Sequence, residues 1–180
     1  MILELAGLPG VGKFTIGRVL AEVLNARLVD NHTIANPAFV STSFGSPEFY
    51  DTVRAVRTLT FARLRELPPT TNIIITSAPS RSLARWRELQ AANKTLAAHR
   101  QTPLLGVHLR CSAEEGERRI KMTDRALLRK ITNPEVLNDG FERAVSLDHC
   151  DGELDLDVTS LTASEAAARI MAWLNASGHA

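Results

Sequence analysis

A glycine-rich turn near the start of the sequence carries the residues best suited to chemistry. The run Gly7-Leu8-Pro9-Gly10-Val11-Gly12-Lys13-Phe14-Thr15 follows a short apolar segment and precedes a helical pattern. Gly10 and Gly12 allow the backbone to curl so that successive N–H groups face one anion. The N terminus of the following helix adds partial positive charge, and Lys13 adds a full one. These residue types at this spacing predict a site for the phosphates of a nucleotide.

The turn has the P-loop arrangement of a strand, a glycine-rich loop, a lysine and a helix, with one departure. A hydroxyl residue that binds Mg²⁺ normally follows the lysine, whereas this chain has Phe14 there and Thr15 one position later. Together with Pro9, this Gly-Lys-x-Thr spacing resembles the loop of adenylate kinase and related small kinases. The resemblance implies that Thr15 contacts phosphate beside a metal ion held partly through water. The predicted nucleotide-binding residues of the loop are Pro9, Gly10, Val11, Gly12, Lys13, Phe14 and Thr15.

An acidic residue, Asp30, directly follows the second apolar segment, Arg27-Leu28-Val29. Ligands of open parallel sheets bind at the carboxyl ends of the strands, so we expect Asp30 near the terminal phosphate. There it could accept the proton of a hydroxyl group or orient metal-bound water. The position resembles the first acid of the Asp-x-Asp pair that serves Mg²⁺ and the substrate in shikimate and gluconate kinases. His32 replaces the second acid, which argues against shikimate itself and predicts His32 as a substrate contact or a base.

The third strand-like segment ends in Thr76-Ser77-Ala78-Pro79 and has no acid. The aspartate of a standard Walker B motif is therefore missing. Shikimate-kinase-like proteins also have threonine and small residues at this place, so the resemblance assigns the metal-binding role to Asp30. Thr76 and Ser77 either hold metal-bound water or are simply the polar end of a strand.

Arginines cluster after the fourth strand-like segment, where this group of kinases has a lid over residues 118–133 in the present numbering. The run Arg125-Ala126-Leu127-Leu128 resembles the Arg-Pro-Leu-Leu of shikimate kinase lids. The resemblance implies that Arg125, followed by Arg118, stabilises charge that develops during phosphoryl transfer. Arg129 is the next candidate and is predicted to contact the nucleotide. A solvated basic helix remains the alternative explanation of these arginines.

The long connection of residues 31–71 is predicted to hold the acceptor substrate. Arg54 and Arg57 lie three residues apart on one helical face and could grip an acidic or phosphate-bearing acceptor. Surface arginines in an arginine-rich chain are the competing interpretation. Four of the nine aromatic residues lie close together here, and they either line an acceptor pocket or cover the sheet: Phe39, Phe44, Phe49 and Tyr50.

Strand-like and helical patterns alternate along the whole chain. The predicted strands cover residues 2–6, 27–29, 72–76, 104–109 and 154–158. Predicted helices cover 13–25 and 47–67, and others begin near Ser80, Ser112, Asn133 and Thr162. Alternation of this kind predicts βαβ units and a parallel sheet with helices on both faces. The resemblance implies one domain over residues 1–180: a three-layer αβα P-loop NTPase fold with a lid and a five-stranded parallel sheet of order 2-3-1-4-5.

Composition narrows the classes of function. The 180 residues include 21 basic and 20 acidic side chains, which give a formal net charge of +1. This balance argues against a nucleic-acid or membrane-surface binder held by bulk charge. No run approaches the roughly 20 apolar residues of a membrane span. The two cysteines have no metal-type spacing, and we expect a cytoplasmic monomer or homodimer.

These observations lead to one principal hypothesis and two alternatives. The principal hypothesis is an ATP-dependent phosphotransferase that uses Mg²⁺ and moves the γ-phosphoryl group to a small hydroxyl- or phosphate-bearing metabolite. Its predicted catalytic residues are Lys13, Asp30, Arg118 and Arg125, with Thr15 and Asp30 at the metal. The alternatives are a nucleoside monophosphate kinase, which would need Arg54 and Arg57, and a nucleotide-binding regulatory NTPase without kinase activity. GTP remains possible in place of ATP, and the acceptor is not identified.

Overall fold

The computed structural model describes residues 1–79, 82–121 and 145–179. Five parallel strands form one sheet in the order β2-β3-β1-β4-β5, which confirms the predicted topology. The strands are β1 (Ile2–Ala6), β2 (Arg27–Val29), β3 (Ile73–Ser77), β4 (Leu104–Arg110) and β5 (Gly152–Asp157). The strands at the centre of the sheet are rich in Ile, Leu and Val, as expected for strands buried on both faces.

Helices pack on both faces of the sheet, and we number those of the described residues in chain order. They are α1 (Lys13–Val23), α2 (Asn31–Ser41), α3 (Pro47–Arg65), α4 (Leu83–Arg100), α5 (Ala113–Ile120) and α6 (Ala163–Ala176). The three-layer αβα fold class predicted from the sequence is therefore confirmed. Among the described residues, no helix is long and apolar enough to cross a lipid bilayer.

Alternate residues of β1 enter two different hydrophobic layers. Leu3 and Leu5 pack into the layer that contains buried residues of α1 and α6. Ile2 packs into the opposite layer, which includes Phe61 of α3 and Leu96 of α4. All five residues of β1 are buried, so the strand that leads into the glycine-rich turn is held firmly on both faces.

The largest difference from the sequence prediction is α2, which we had not predicted within residues 31–71. Its N-cap is Asp30, whose side chain accepts a hydrogen bond from the backbone N–H of His32. Pro37 lies inside the helix and lacks the N–H that an internal helical turn normally uses. The internal proline and the weak apolar periodicity therefore concealed a helix that leads directly from the site. The helix predicted near Asn133 lies outside the described residues.

Helix boundaries otherwise agree closely with the predicted caps. Ser46 caps α3 by accepting from the N–H of Phe49, and Pro47 occupies the first turn. The helix predicted near Ser80 begins after Ser82, which is its N-cap. A complete capping box is present at Thr162.

One buried arginine fixes the connection between α3 and β3. Arg100, at the end of α4, is 8% exposed, and its guanidinium donates to four backbone carbonyl groups. The acceptors belong to Leu64, Leu67, Pro68 and Thr71. The connection is thereby tied to the helix that follows β3, and α3 is held beside the site.

Candidate functional site

A cavity of about 620 Å³ opens where β1, β2 and β3 reach their carboxyl ends. The glycine-rich turn borders it on one side and α2, α3 and α4 border it on another. Arg118 and Arg119 of α5 and Val158, which follows β5, complete the described wall. This location is the one that open parallel sheets use for ligands.

The glycine-rich turn has the backbone geometry of an anion site. Gly10 and Gly12 have φ angles of 95° and 100°, which residues with a Cβ rarely adopt. Helix α1 begins at Lys13, and its N-cap, Gly12, makes no side-chain cap hydrogen bond. The Lys13 Nζ donates to the carbonyl oxygens of Gly7 at 2.6 Å and Leu8 at 2.8 Å, which folds the ammonium group over the turn. The amides and the ammonium group are thus the groups that could hold phosphates.

The other predicted loop residues, Pro9, Val11, Phe14 and Thr15, also line the cavity. Thr15 is exposed, and Phe14 occupies the place of the usual metal-binding hydroxyl residue. Thr15, Asp30 and Thr76 line the same cavity. Hydroxyl and carboxylate oxygens are the ligands that Mg²⁺ prefers, so this set fits the ion, with Thr15 and Asp30 as the residues able to hold it.

Asp30 is buried at the end of β2, and two contacts fix its carboxylate. Its Oδ1 accepts from Thr76 Oγ1 at 2.7 Å, and its Oδ2 accepts from the N–H of His32 at 3.1 Å. The Thr76 hydroxyl in turn accepts from the N–H of Asn31 at 2.8 Å. The polar end of β3 therefore positions Asp30, a role that the sequence analysis did not predict. Each carboxylate oxygen still has a lone pair for a substrate hydroxyl or metal-bound water.

His32 lies in the cavity wall and leads into a cluster of aromatic rings. Its ring stacks on Phe39, with ring centroids 6.2 Å apart. Phe39 also stacks on Phe44 at 5.5 Å and meets the edge of Phe49 at 5.0 Å. Tyr50 contacts Phe49 at 5.4 Å, and all four residues line the cavity. Of the two interpretations left open by the sequence, the pocket lining is the one observed.

Arg54 and Arg57 both reach the cavity, but they share one acidic partner. Glu88 of α4 accepts from Arg54 Nε at 2.8 Å and lies 3.4 Å from Arg57 Nη2. Arg54 also pairs with Asp51 at 2.6 Å. Burial lowers the pKa of the Arg57 guanidinium, and the charge of Glu88 opposes that shift. Glu88 is a site residue that the sequence analysis missed, because the α3–α4 contact that brings it here is not visible in local spacing.

The arginines of α5 have different roles. Arg118 lines the cavity with a side chain that is 65% exposed, and it forms a two-point contact with Glu115 at 2.7 Å. Arg119, which the sequence analysis did not single out, is 18% exposed and donates to Glu115 and to the carbonyl groups of Val11 and Val158. It therefore ties α5 to the glycine-rich turn and to the segment after β5. Hydrogen bonds from Arg118 and Arg119 lower the pKa of Glu115 to about 2.

A sequence signal for Arg119 existed in the periodicity of α5. Gly116 and Ile120 are buried against the turn, since a Cβ on Gly10 would lie 3.2 Å from the Gly116 carbonyl oxygen. Arg119 precedes Ile120 and stands four residues after Glu115, so it shares the inner side of the helix. The other predicted lid arginines, Arg125 and Arg129, lie outside the described residues and stay predictions, as does the lid beyond residue 121.

Solved structures with a similar fold include several kinases. A shikimate kinase from Acinetobacter baumannii, in complex with shikimate, is 20% identical, with a TM-score of 0.59 over 98% of this chain and 93% of that chain. A sugar kinase from Janibacter sp. HTCC2649 is 15% identical, with a TM-score of 0.60 over 97% and 94%. The tunicamycin resistance protein of Deinococcus radiodurans is 15% identical, with a TM-score of 0.65 over 96% and 94%.

Sequence comparison adds no closer relative, since neither a protein-family model nor a curated protein matches the chain. The structural likeness extends over nearly the full length of the chain and of the solved structures. It agrees with the resemblance inferred from the glycine-rich turn. The chain therefore has the fold of shikimate kinase and the other P-loop small-molecule kinases.

Proposed function

We propose that this chain is a cytoplasmic phosphotransferase that moves the γ-phosphoryl group of ATP, with Mg²⁺, to a hydroxyl group of a small-molecule acceptor. GTP is the alternative donor. One observation carries the proposal: the buried carboxylate of Asp30, held by Thr76, lies in the same cavity as Lys13 and the N-terminal amides of α1. Phosphate-binding groups and a fixed proton acceptor together are the parts that phosphoryl transfer to a hydroxyl requires.

The roles of the residues follow from their contacts. The loop amides and Lys13 bind and orient the phosphates, and Mg²⁺, when bound, neutralises charge on them. Asp30 accepts the proton of the acceptor hydroxyl as its oxygen forms a bond to the γ-phosphorus. The bond between that phosphorus and the bridging oxygen breaks, and the diphosphate leaves. Arg118, which lines the cavity and pairs with Glu115, would stabilise charge on the transferring group.

The charges around the cavity favour a hydroxyl over a phosphate acceptor. An anionic acceptor would have to approach Asp30 and to compete with Glu88 for Arg54 and Arg57. A neutral hydroxyl group is not repelled by Asp30 and does not compete with Glu88, and it can donate a hydrogen bond directly to Asp30. This difference ranks the nucleoside monophosphate kinase below the hydroxyl kinase.

The test separates binding from transfer. Titration calorimetry with a nonhydrolysable ATP analogue should detect binding, and Lys13→Ala should weaken it at least tenfold, whereas Lys94→Ala on the exposed face of α4 should not. Asp30→Asn should retain nucleotide binding and lower acceptor-dependent ADP release by about 10²- to 10⁴-fold. Asp148→Asn, an exposed acid, is its control. Unchanged transfer in Asp30→Asn, or no nucleotide binding in the wild type, would refute the proposal.

A second candidate function is favoured by Phe14, which stands where a metal-binding hydroxyl residue is usual. This candidate is a nucleotide-binding regulatory protein without transferase activity. It predicts nucleotide binding that depends on Lys13, together with no transfer to any acceptor. Nucleotide binding and acceptor-dependent ADP release, measured together, therefore distinguish the two candidate functions.

A further inference from the structure

The acceptor end of the cavity is walled by aromatic rings, which we call the aromatic wall: Phe39, Phe44, Phe49 and Tyr50. Neighbouring centroids lie 5.0 to 5.5 Å apart, in stacked and edge-on pairs. Such pairs fix ring orientations and present flat apolar faces. The wall is continuous with His32, which lies two residues after Asp30. A ligand on the wall would therefore lie next to the proposed proton acceptor.

The wall is only partly covered by the chain itself. Phe49 is 4% exposed and anchors the cluster in the protein. Phe44 is 68% exposed within the part of the chain that the structure describes, although it stacks on Phe39. A phenylalanine face left to water at the mouth of a cavity gains free energy when an apolar ligand covers it.

The cations at this end already have partners. Arg54 and Arg57 share Glu88, and Arg54 also pairs with Asp51. The guanidinium carbon of Arg85 lies 3.8 Å from the centre of the Tyr50 ring, a cation–π contact, and its buried Nε has no hydrogen-bond partner among the described residues. An anionic ligand group that bound Arg54 or Arg57 would have to compete with Glu88, whereas a neutral ligand leaves these ion pairs in place. The wall is therefore suited to an uncharged ring system.

Trp86 also lines the cavity. It is 2% exposed, and its indole Nε1–H has no hydrogen-bond partner among the described residues. A buried donor without a partner carries a free-energy cost that a ligand acceptor atom would remove. The site thus combines flat apolar faces with a tryptophan whose buried indole donor lacks an acceptor among the described residues.

We propose that the acceptor is a neutral aromatic alcohol, whose ring stacks on the aromatic wall while its hydroxyl group reaches Asp30. The inference rests on the proposed phosphotransferase function and specifies its substrate class. The hydroxyl oxygen forms the new bond to the γ-phosphorus, the bond to the bridging oxygen of ATP breaks, ADP leaves with the electron pair, and Asp30 takes the proton. Phosphorylated aromatic alcohol and ADP are the products.

Trp86 makes the test direct, because the sequence has only two tryptophans. Trp173 packs in the core around α6, away from the cavity lining, so a Trp173→Phe background leaves Trp86 as the single reporter. We would titrate this protein, with a nonhydrolysable ATP analogue bound, with 2-phenylethanol, 2-cyclohexylethanol, uridine and gluconate. Transfer of phosphate from ATP to each compound would be followed by phosphorus NMR. Uridine distinguishes a nucleoside from a simple aryl alcohol as the source of the ring.

The expected result is a change of Trp86 fluorescence and transfer with 2-phenylethanol or uridine, at concentrations at least tenfold lower than with 2-cyclohexylethanol or gluconate. Phe44→Ala should weaken binding of the aromatic alcohol at least tenfold. The exposed Val40→Ala, which does not line the cavity, should leave it unchanged. Affinity for the ATP analogue checks that each variant is folded.

Two results would overturn the inference in different ways. Equal or better binding of gluconate or 2-cyclohexylethanol, or an unchanged aromatic affinity in folded Phe44→Ala, would refute the aromatic acceptor while the kinase proposal stands. Failure of the wild type to bind the ATP analogue would refute both.

Discussion

Thr76 illustrates how a strand end without an acid can still serve a catalytic site. Its single hydroxyl donates to Asp30 and accepts from the N–H of Asn31. The sequence predicted Asp30 from its place after a strand, since strand ends in parallel sheets converge. The sequence did not decide the role of Thr76, because its hydrogen bond to Asp30 joins residues 46 positions apart and depends on the pairing of β2 with β3.

Removing the Thr76 hydroxyl should therefore lower turnover more than it affects nucleotide binding. In Thr76→Val, which keeps the shape, we expect kcat to fall about 10- to 100-fold, because Asp30 loses a donor and the N–H of Asn31 loses its acceptor. Steady-state kinetics with calorimetry measures both quantities. Thr76→Ser should restore kcat, and Thr95→Val, at an exposed position of α4, should have the kcat of the wild type. A rise in nucleotide Kd with unchanged kcat would contradict the positioning role.

Glu88 should set the charge preference of the acceptor end. In Glu88→Gln, Arg54 and Arg57 lose their shared carboxylate. We expect affinity for gluconate, an anionic probe, to rise about tenfold while affinity for a neutral aromatic alcohol stays within twofold. Competition against Trp86 fluorescence measures both. Glu66→Gln, which also removes an arginine partner but lies outside the cavity lining, is the matched control. An equal gain for both ligands would be inconsistent with this explanation.

At the scale of elements, α5 is fastened to the glycine-rich turn through Glu115 and Arg119. Arg118 and Arg119 hold the pKa of Glu115 at about 2, below its ordinary value of 4.5. Because the folded value is the lower one, the contact stabilises the folded chain above pH 4.5 and is lost as the pH falls toward 2. The wild type should therefore be more stable than Glu115→Gln at pH 6, and the difference should shrink between pH 4.5 and 2.

Urea unfolding at several pH values measures this difference. Glu117→Gln, on the same helix and paired only with Lys121 in the described contacts, should show a much smaller pH-dependent difference from the wild type. If the difference in unfolding free energy between the wild type and Glu115→Gln did not change with pH, the arginines would not be stabilising the charged form of Glu115.

The entry to the turn depends on Gly7 for space as well as for conformation. Its φ is +155°, and a Cβ there would lie only 2.4 Å from the Leu109 carbonyl oxygen of β4. Gly7→Ala should lower the unfolding free energy by about 2–4 kcal/mol and weaken nucleotide binding at least tenfold. Denaturant unfolding and calorimetry give the two values.

Gly45 also has a positive φ (+83°), but a Cβ there would meet no atom within 4 Å. Gly45→Ala should therefore lower the unfolding free energy by only about 1 kcal/mol. Similar losses in both variants would exclude the steric explanation.

The parts of the site that could be predicted are those positioned by helices with clear local signals in the sequence. Ser46-Pro47 and the Thr162 capping box are local signals, and both predicted helices were found. Helix α2 was not, because Pro37 interrupts its pattern, although tertiary packing of Ile34, Ala35 and Ala38 sustains it. As a result, the aromatic residues could be assigned to a region but not to one wall of the cavity.

At the scale of the whole molecule, the alternation of strands and helices predicted a parallel sheet, and the resemblance to small kinases implied its order. The side-chain contacts that join distant segments of the chain could not be predicted from the sequence. Arg100 is an example: it lies in an ordinary basic helix end, yet it collects four carbonyl groups of the α3–β3 connection. Such a side chain supports the position of α3, and therefore of the acceptor end of the cavity.

Arg100→Met should destabilise the whole chain by about 3 kcal/mol, because it removes hydrogen bonds from a cation to buried or half-buried carbonyl groups. Thermal and urea unfolding would show one cooperative transition shifted to lower stability. Arg87→Met, at an exposed position of the same helix, should change stability by less than about 0.5 kcal/mol. A small effect at Arg100 would mean that water replaces the guanidinium without cost.

Among the described residues, one cavity is lined both by Val158, beside the arginines of α5, and by Phe44 of the aromatic wall. A single compound could therefore occupy both halves, with a polyphosphate in the glycine-rich turn joined by a short linker to an aromatic ring. Binding of the second half would then occur at an effective concentration on the order of millimolar, set by the linker. A space that aligns two substrates for reaction is, by the same continuity, open to inhibition by one molecule that imitates both.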